Sequence, residues 1–400
     1  MNKKEFLPLT TKKIYKNSHE FKNGEIIKIL EDLKNLSSSE KNKLYIMRDK
    51  IESNALELEE FLQKNKYMNN KSFSKGVLFS QEIKANNTIE GYKDDLALVW
   101  DIVNNHKKIK DKEKMQRIMN LYNGYKYIFE EKEINKENLR ELYSILSKGL
   151  LSDDDINHMG KYYREAPVYI YYSPSLEVEP DMGLPYKELN EYMNELFEFI
   201  NQNNFDNSST SHFIKSQIMH FQFVNIHPYF DINGRTSRTL AMWYLLNNKA
   251  YPYIIFNRGI SLNKNTYYKV IRDVKLYSNV TFFVNFMLNN VKIELEKEKI
   301  IDMIKSTVGN ITPTEYQSLY YILSMNGLHT VNDFVSFYNK YNDKKKALDI
   351  YITMIEPLLE EGIILKLRDT NGNIDSKHPN FIFEINNSMY ENNPQKIKKI

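Results

Sequence analysis

No cysteine occurs in the 400 residues. A disulfide scaffold, a thiolate-bound zinc and a cysteine nucleophile are therefore all excluded. Glycine and proline are scarce, at 13 and 11 residues, so the chain has few obligatory breaks and reads as helices separated by turns. Charge of one sign is also lacking. With 55 Lys+Arg against 52 Asp+Glu, the balance gives no argument for nucleic acid or an anionic membrane surface. No stretch reaches the roughly 18–20 apolar residues of a membrane-spanning helix. The first residues, MNKKEFLPLTTKKIYKNSHEF, hold no apolar run that would serve as a signal peptide. The expectation is a soluble, cytoplasmic protein with no membrane partner. What is present is ordinary globular material, 42% hydrophobic and 27% charged. Its length suits two or three domains, each able to bury a core.

Helical periodicity dominates. EIIKILEDLKNL (Glu25 to Leu36) spaces its apolar residues at three and four, and the serines of SSSEKNKLYIMRDKIESNALELEEFLQ predict the start of a long helix. Further helices are predicted at about 74–89, 93–108, 112–130 and 136–149. After Gly160 the pattern changes. APVYIYYSPSLEVEP (Ala166 to Pro180) is rich in β-branched and aromatic residues and then in proline, which predicts a short strand or hairpin. Helices resume at YKELNEYMNELFEFINQ, SHFIKSQIMHFQFVNI, TSRTLAMWYLLNNKA, NKNTYYKVIRDVKLY and NVTFFVNFMLNNVKIELEKEKIIDMIK. A boundary is expected at STVGNITPT (Ser306 to Thr314). Beyond it come three helices, PTEYQSLYYILSMNG, TVNDFVSFYNKY and KKKALDIYITMIEPLLEEG, then two strands around an Asn-Gly turn in IILKLRDTNGNIDSKHPNFIFEI. That order is the layout of a winged helix-turn-helix at residues 310–400.

The chemistry concentrates in HPYFDINGRTSR, His227 to Arg238. Pro228 ends the preceding helix. Gly234 allows close backbone approach to a ligand. The helix that follows offers free N–H groups and a positive dipole end to an anion such as phosphate. Arg235 and Arg238, three apart, share one face of it and donate paired bonds to phosphate oxygens. Asp231 offers a hard oxygen for Mg²⁺ beside phosphates, and His227 is placed to act as a general base. Together these suit phosphoryl or nucleotidyl transfer, where catalysis is mostly positioning and charge stabilisation. Each residue alone has a plainer reading, as a loop histidine or a solvated arginine face. Two rival readings stay open. His212, His220, His227 and Asp231 would form the metal cluster of a hydrolase. Alternatively, the core is an inactive regulator acting through a C-terminal domain that binds DNA. Against DNA, the predicted helix from Lys344 to Gly362 begins basic but turns apolar and then acidic, and the charges of Lys366, Arg368 and Lys377 in the wing are offset by Asp369 and Asp375. A major-groove reader keeps a polar, basic face, so protein contact or dimerisation is favoured over DNA.

The stretch resembles the signature of the Fic family, His-Pro-Phe-x-Asp/Glu-Gly-Asn-Gly-Arg-x-x-Arg. Its neighbours agree. HFQFVNIHPYF resembles the family's lead-in, GKYYREAPVYIYYSPSLEVEP resembles its strand-and-flap segment, and NTYYKVI resembles its Tyr-Tyr helix beside the adenine pocket. The resemblance runs over about residues 80–295. It implies a mainly α protein: a Fic-type helical core (111–305) with a short β-hairpin flap near 166–180, preceded by an N-terminal helical region (1–110). It also implies AMP transfer from ATP to a Ser, Thr or Tyr hydroxyl of a target protein. By resemblance, His227 is the base, Asp231 holds Mg²⁺, and Asn233 with the Gly234 backbone forms the α-phosphate anion hole. Arg235 grips the α- and β-phosphates, Arg238 reaches the γ-phosphate, and Tyr267 and Tyr268 line the nucleotide pocket. Tyr229 replaces a Phe and keeps an aromatic anchor. Ile232 replaces a Gly, and a β-branched residue tolerates positive φ poorly. Lys275 stands where some relatives place an adenine-reading Asn.

A second stretch, ANNTIEGY (Ala85 to Tyr92), ends a helix with Gly91 as its natural C-cap. It also resembles the family's inhibitory motif, Ser/Thr-x-x-x-Glu-Gly/Asn, with Asn86 in the Ser/Thr place. The resemblance implies an inhibitory helix at about 75–91 whose Glu90 pairs with Arg238 and keeps the γ-phosphate out. In some relatives the same glutamate supports removal of AMP, a second activity the resemblance implies for Glu90 here. The sequence names neither the target protein nor the oligomeric state, although the N-terminal helices are long enough to serve a homodimer.

Overall fold

The computed structural model describes residues 4–10, 43–66, 68, 75–130, 132–170, 181–202 and 208–308, then 312, 315, 318–320, 329–341, 344–369 and 381–385. The chain packs as two compact units, Met1–Val291 and Lys292–Ile400.

In the first unit, strand β1 (Lys4–Thr10) pairs antiparallel with β2 (Lys43–Met47). Helices follow: α1 (Arg48–Lys64), α2 (Lys75–Ile89), α3 (Leu96–Asn104), α4 (Lys112–Ile128), α5 (Lys136–Ser147) and the short α6 (Asp153–Asn157). A two-residue ladder joins β3 (Tyr169–Ile170) to β4 (Asp181–Met182), with Tyr169 opposite Met182. Then come α7 (Leu189–Asn201), α8 (Ser209–Ile226), α9 (Asn233–Asn247), α10 (Phe256–Leu262) and α11 (Lys264–Tyr277). Helix α12 (Thr281–Val308) runs through the boundary between the units. The polar starts expected of helices are there. Asp111, Asn135 and Ser208 each accept a backbone N–H of the helix they precede, and Ser152 and Asp155 form a reciprocal capping box.

Helices α8 and α9 are buried on nearly every face. A helix that is apolar or internally bonded all round belongs in the middle of a core, and these two pack along each other there. The loop between them and the first turn of α9 carry the His227 to Arg238 stretch, so the candidate chemistry rests on a buried helix pair.

One element differs from the sequence expectation. The long helix predicted from the serines begins only at Arg48. Lys43–Met47 is a strand, because Leu44, Tyr45, Ile46 and Met47 are all buried, which a helix with one exposed face does not permit. The strand is held from both edges: Tyr45 also donates to the Ser278 carbonyl at 2.9 Å and accepts from Val280 at 3.1 Å. Helix α10, in the apolar run after Tyr251, was not expected either. The predicted helix over Glu25 to Leu36 lies outside the described residues, as does most of the hairpin segment after Ile170.

In the second unit, a three-stranded sheet has the order β5 (His329–Thr330), β7 (Phe381–Ile385), β6 (Ile364–Asp369), antiparallel throughout. Helix α13 (Val331–Tyr341) and a helical run from Ala347 to Glu360 precede its hairpin. The two strands predicted from the C-terminal sequence pair as expected. Their Asn-Gly turn, and most of the first of the three predicted helices, lie outside the described residues.

Candidate active site

His227 ends α8 in the left-handed conformation, φ 55°, with its N–H still bonded to the Phe223 carbonyl at 3.0 Å. This reverses the chain before Pro228. The His227 Nδ1 lies 3.2 Å from the Val224 carbonyl. A carbonyl only accepts, so Nδ1 carries the proton and Nε2 carries the lone pair. The imidazole thus presents the basic nitrogen on the side away from its own helix.

Arg164 was missed in the sequence, where it is one charged residue in the segment before the flap. It is 2% exposed. Its Nε donates to the His227 carbonyl at 2.8 Å, Nη1 to Ala166 at 2.7 Å and Nη2 to Leu184 at 2.5 Å. Its backbone N–H bonds the Pro228 carbonyl at 3.0 Å. One guanidinium therefore ties the histidine loop to the segments before β3 and after β4, and burial pulls its pKa down to about 10. No helical or strand period signals such a residue. Arg164→Met should lower unfolding free energy by about 2–4 kcal/mol, because three carbonyls lose a charged donor at once; urea unfolding checks it.

Ile232 sits directly before α9 with φ 65° and ψ 7°, and is 2% exposed. The loop does require the left-handed geometry, and the β-branched residue adopts it with its side chain packed inward rather than pointing out. Left-handed backbone costs such a residue about 1–2 kcal/mol, whereas burying its side chain returns about 1.5–3 kcal/mol, so packing wins. The order of stability that follows is Ile232 above Ile232→Gly above Ile232→Ala, with glycine ahead of alanine by about 1 kcal/mol. Chemical denaturation of the three proteins measures it, and at a right-handed helical position Gly would instead rank below Ala.

The rest of the loop is bonded within itself. Asp231, exposed, uses Oδ1 to accept the Ile232 N–H at 2.6 Å. The Asn233 side chain does not face outward as an anion-hole donor. It bonds the Tyr229 backbone twice, Oδ1 accepting at 3.0 Å and Nδ2 donating at 2.8 Å. What remains toward an anion is the main chain. The first internal bond of α9 is Thr236 N–H to Ile232 at 2.9 Å, so the N–H groups of Asn233, Gly234 and Arg235 have no partner within the helix.

Two arginines stand over this helix end. Arg235 is 4% exposed, and its Nε and Nη1 meet no partner among the described residues. A buried guanidinium left in that state is costly. Arg238 is 1% exposed and fully engaged: Nε donates to Asn86 Oδ1 at 2.7 Å and Nη2 pairs with the Glu90 carboxylate. A Cβ at Gly234 would stand 2.6 Å from Glu90 Oε1 and 3.1 Å from Arg238 Nη1. A side chain there would have to push these side-chain ends aside, so the glycine lets a carboxylate approach the helix N-terminus closely. Burial raises the Glu90 pKa, but Arg238 and Arg235 outweigh it and hold the group below the usual carboxylate value.

Glu90 is placed by the end of its helix. Gly91, φ 93°, donates to Thr88 at 3.1 Å, and Tyr92 donates to Asn87 at 2.9 Å. These are the two bonds of a Schellman C-cap. The capping reading of the motif and the Arg238 contact therefore coexist, since the cap fixes the carboxylate's direction.

The profile of the Fic/DOC family matches residues 133–245, the span from just before α5 to within α9 that holds both the flap and the His227 loop. Residues 133–245 are a Fic/DOC domain. The fold extends further. A Fic family protein from Desulfovibrio desulfuricans G20 superposes with a TM-score of 0.52 at 18% identity, over 93% of this chain and 98% of that one. A Fic-1 segment from C. elegans aligns with a TM-score of 0.48 at 15% identity, over 64% of this chain and 73% of that one.

Members of the Fic/DOC family generally transfer a nucleotide, most often AMP, onto proteins. Beside Arg238, and C-terminal to the matched span, Tyr267 is 1% exposed and its hydroxyl bonds His220 Nε2 at 2.8 Å, while Tyr268 donates to the Ile89 carbonyl at 2.9 Å. Lys275 is buried. The histidines of the hydrolase reading do not converge. His212 lies 3.1 Å from the Tyr244 hydroxyl, His220 lies beside Gln217 and Tyr267, and His227 faces Val224. Among the described residues no three His, Asp or Glu side chains form a metal-holding group. A cavity of about 270 Å³, lined by His212, Lys215 and Tyr244, is formed by residues other than those of the His227 loop. There Lys215 donates to the carbonyls of Ile200 and Gln202 at the end of α7.

Proposed function

We propose that the chain is a protein adenylyltransferase that moves AMP from ATP to a Ser, Thr or Tyr hydroxyl of a target protein and is restrained by Glu90. The observation that carries this reading is Arg235: a buried guanidinium with two donor atoms unpartnered, beside Gly234 and the open N–H groups of α9, is a site built for a polyphosphate. Asp231, exposed at the edge of that site, fits as the single carboxylate ligand of a Mg²⁺ that otherwise takes phosphate oxygens and water. When bound, the ion offsets charge on the phosphates.

The residues divide the transfer as follows. Arg235 and the α9 N-terminus hold the α- and β-phosphates in place. The target hydroxyl loses its proton to His227 Nε2 as its oxygen bonds the α-phosphorus, and the bond to the β-phosphate oxygen breaks, releasing diphosphate. Arg164 fixes the His227 carbonyl and so the ring's place. Arg238 takes the γ-phosphate only when Glu90 does not hold it, because one guanidinium fork cannot serve both anions. Transfer of radiolabel from α-labelled ATP to added protein, lost on Arg235→Ala, tests the reading. Transfer that survives Arg235→Ala unchanged overturns it. For the second unit we favour protein contact over DNA, since the helical run from Ala347 exposes Leu348 and Ile352.

A further inference from the structure

Besides Tyr267, Arg238 is held by two residues of the segment around the end of α2, and these two holds differ in kind. Glu90 pairs with Nη2 through a charge, from a carboxylate that stays about 25% exposed. Asn86 accepts from Nε at 2.7 Å and is itself fully buried. The Asn86 amide is in turn fixed. Its Nδ2 donates to the Tyr125 hydroxyl at 2.6 Å, with a longer contact of 3.3 Å to the Glu82 carbonyl. Of the two, only Glu90, just past the end of α2, keeps part of its side chain exposed.

Helix α2 is pinned along its length. Glu82 pairs with Arg258 at 3.2 Å, both buried. Asn87 donates to Asp94 at 2.6 Å, and Asp94 is bound by Lys114 at 3.1 Å and Arg117 at 3.4 Å from α4. Arg117 also stacks on Tyr92, 3.6 Å from the ring centroid. Tyr268 holds the Ile89 carbonyl. Displacing the helix would leave several buried charged and polar groups unpaired, whereas rotating the Glu90 side chain breaks one ion pair. Relief of the brake through Glu90 alone leaves Asn86 still bonded to Arg238 Nε.

We infer that Asn86 is a positioning residue of the productive site: with Glu90 turned away, it holds Arg238 by Nε so that Nη1 and Nη2 face the γ-phosphate. The helix that carries the restraint thereby also completes the nucleotide site. Charge matters here. A neutral amide orients the guanidinium without repelling phosphate, so an aspartate at this position would pair with Arg238 as Glu90 does. This inference rests on the proposed ATP site and deepens it.

The test is calorimetric binding of a non-hydrolysable ATP analogue and of AMP, all in the Glu90→Gly protein. Adding Asn86→Ala should weaken the analogue about tenfold and leave AMP unchanged, since only the γ-phosphate depends on Arg238. Adding Asn86→Asp should weaken the analogue more than Asn86→Ala does. Tyr125→Phe, which removes the support of Asn86 and leaves Arg238 untouched, should shift the analogue in the same direction by less. Asn86→Ala that leaves analogue binding unchanged, or that moves analogue and AMP equally, overturns the inference. So does an Asn86→Ala protein with Glu90 intact that gains transfer as Glu90→Gly does, because Asn86 would then belong to the restraint alone. If Glu90→Gly binds neither nucleotide, the ATP reading itself fails and takes this inference with it.

Discussion

Replacing Glu90 by glycine is expected to raise AMP transfer about tenfold or more, the change that removing ~1.4 kcal/mol of competition produces. The carboxylate lies on Arg238 Nη2 and against the face of Gly234, the place the proposed function gives to the γ-phosphate. Glu90→Gln should fall between the two, because it keeps the shape and loses the charge. The pH dependence has a definite sign. The Glu90 pKa is lowered in the folded protein, so its pairing is fully present above the ordinary carboxyl value and is lost only as pH falls through the depressed one. The restraint should therefore be flat from about pH 6 to 8 and give way only under acid conditions. A release curve centred near neutrality would point to another group.

Replacing His227 by alanine in the Glu90→Gly protein should reduce transfer about 10²–10⁴-fold, the usual contribution of a general base, with ATP affinity nearly unchanged. The separation follows from the site. In the proposed mechanism the phosphates are held by α9, Arg235 and Arg238, whereas the His227 ring touches its own helix through Nδ1 and would meet the hydroxyl through Nε2. Single-turnover transfer compared with equilibrium ATP binding measures the two effects apart. A variant that lost both together would mean that the residue shapes the loop rather than moving the proton.

The sequence made the loop legible because its information is local. Gly234, Arg235 and Arg238 lie within one turn of a helix, and helical phase alone places the arginines on one face. Glu90 is distant in sequence but close to a helix end that Gly91 marks. The conflict at Ile232 was visible as well, a β-branched residue in a loop suited to glycine. What sequence alone left undecided was whether burial would outweigh strain, and packing answers that. Other features depend on partners far along the chain. Arg164 bonds residues before β3, after β4 and in the histidine loop, and no period of 2.0 or 3.6 announces a side chain used that way. Asn233 misleads for a local reason instead: it reads as a phosphate ligand by position, yet its amide closes onto Tyr229 four residues earlier. The strand at Lys43–Met47 read as helix because its pairing partner is the N-terminal segment, which carries no strand signal of its own.

The most direct test is the intact mass of three proteins after incubation with Mg-ATP: the native chain, Glu90→Gly, and Glu90→Gly/His227→Ala. AMP adducts that are sparse on the native chain, abundant on Glu90→Gly and absent from the double variant are the expected result. If self-modification is absent throughout, the same three proteins presented with a lysate and labelled ATP should rank in the same order. Equal labelling by all three, or labelling that persists without His227, would contradict a restrained transferase centred on this loop.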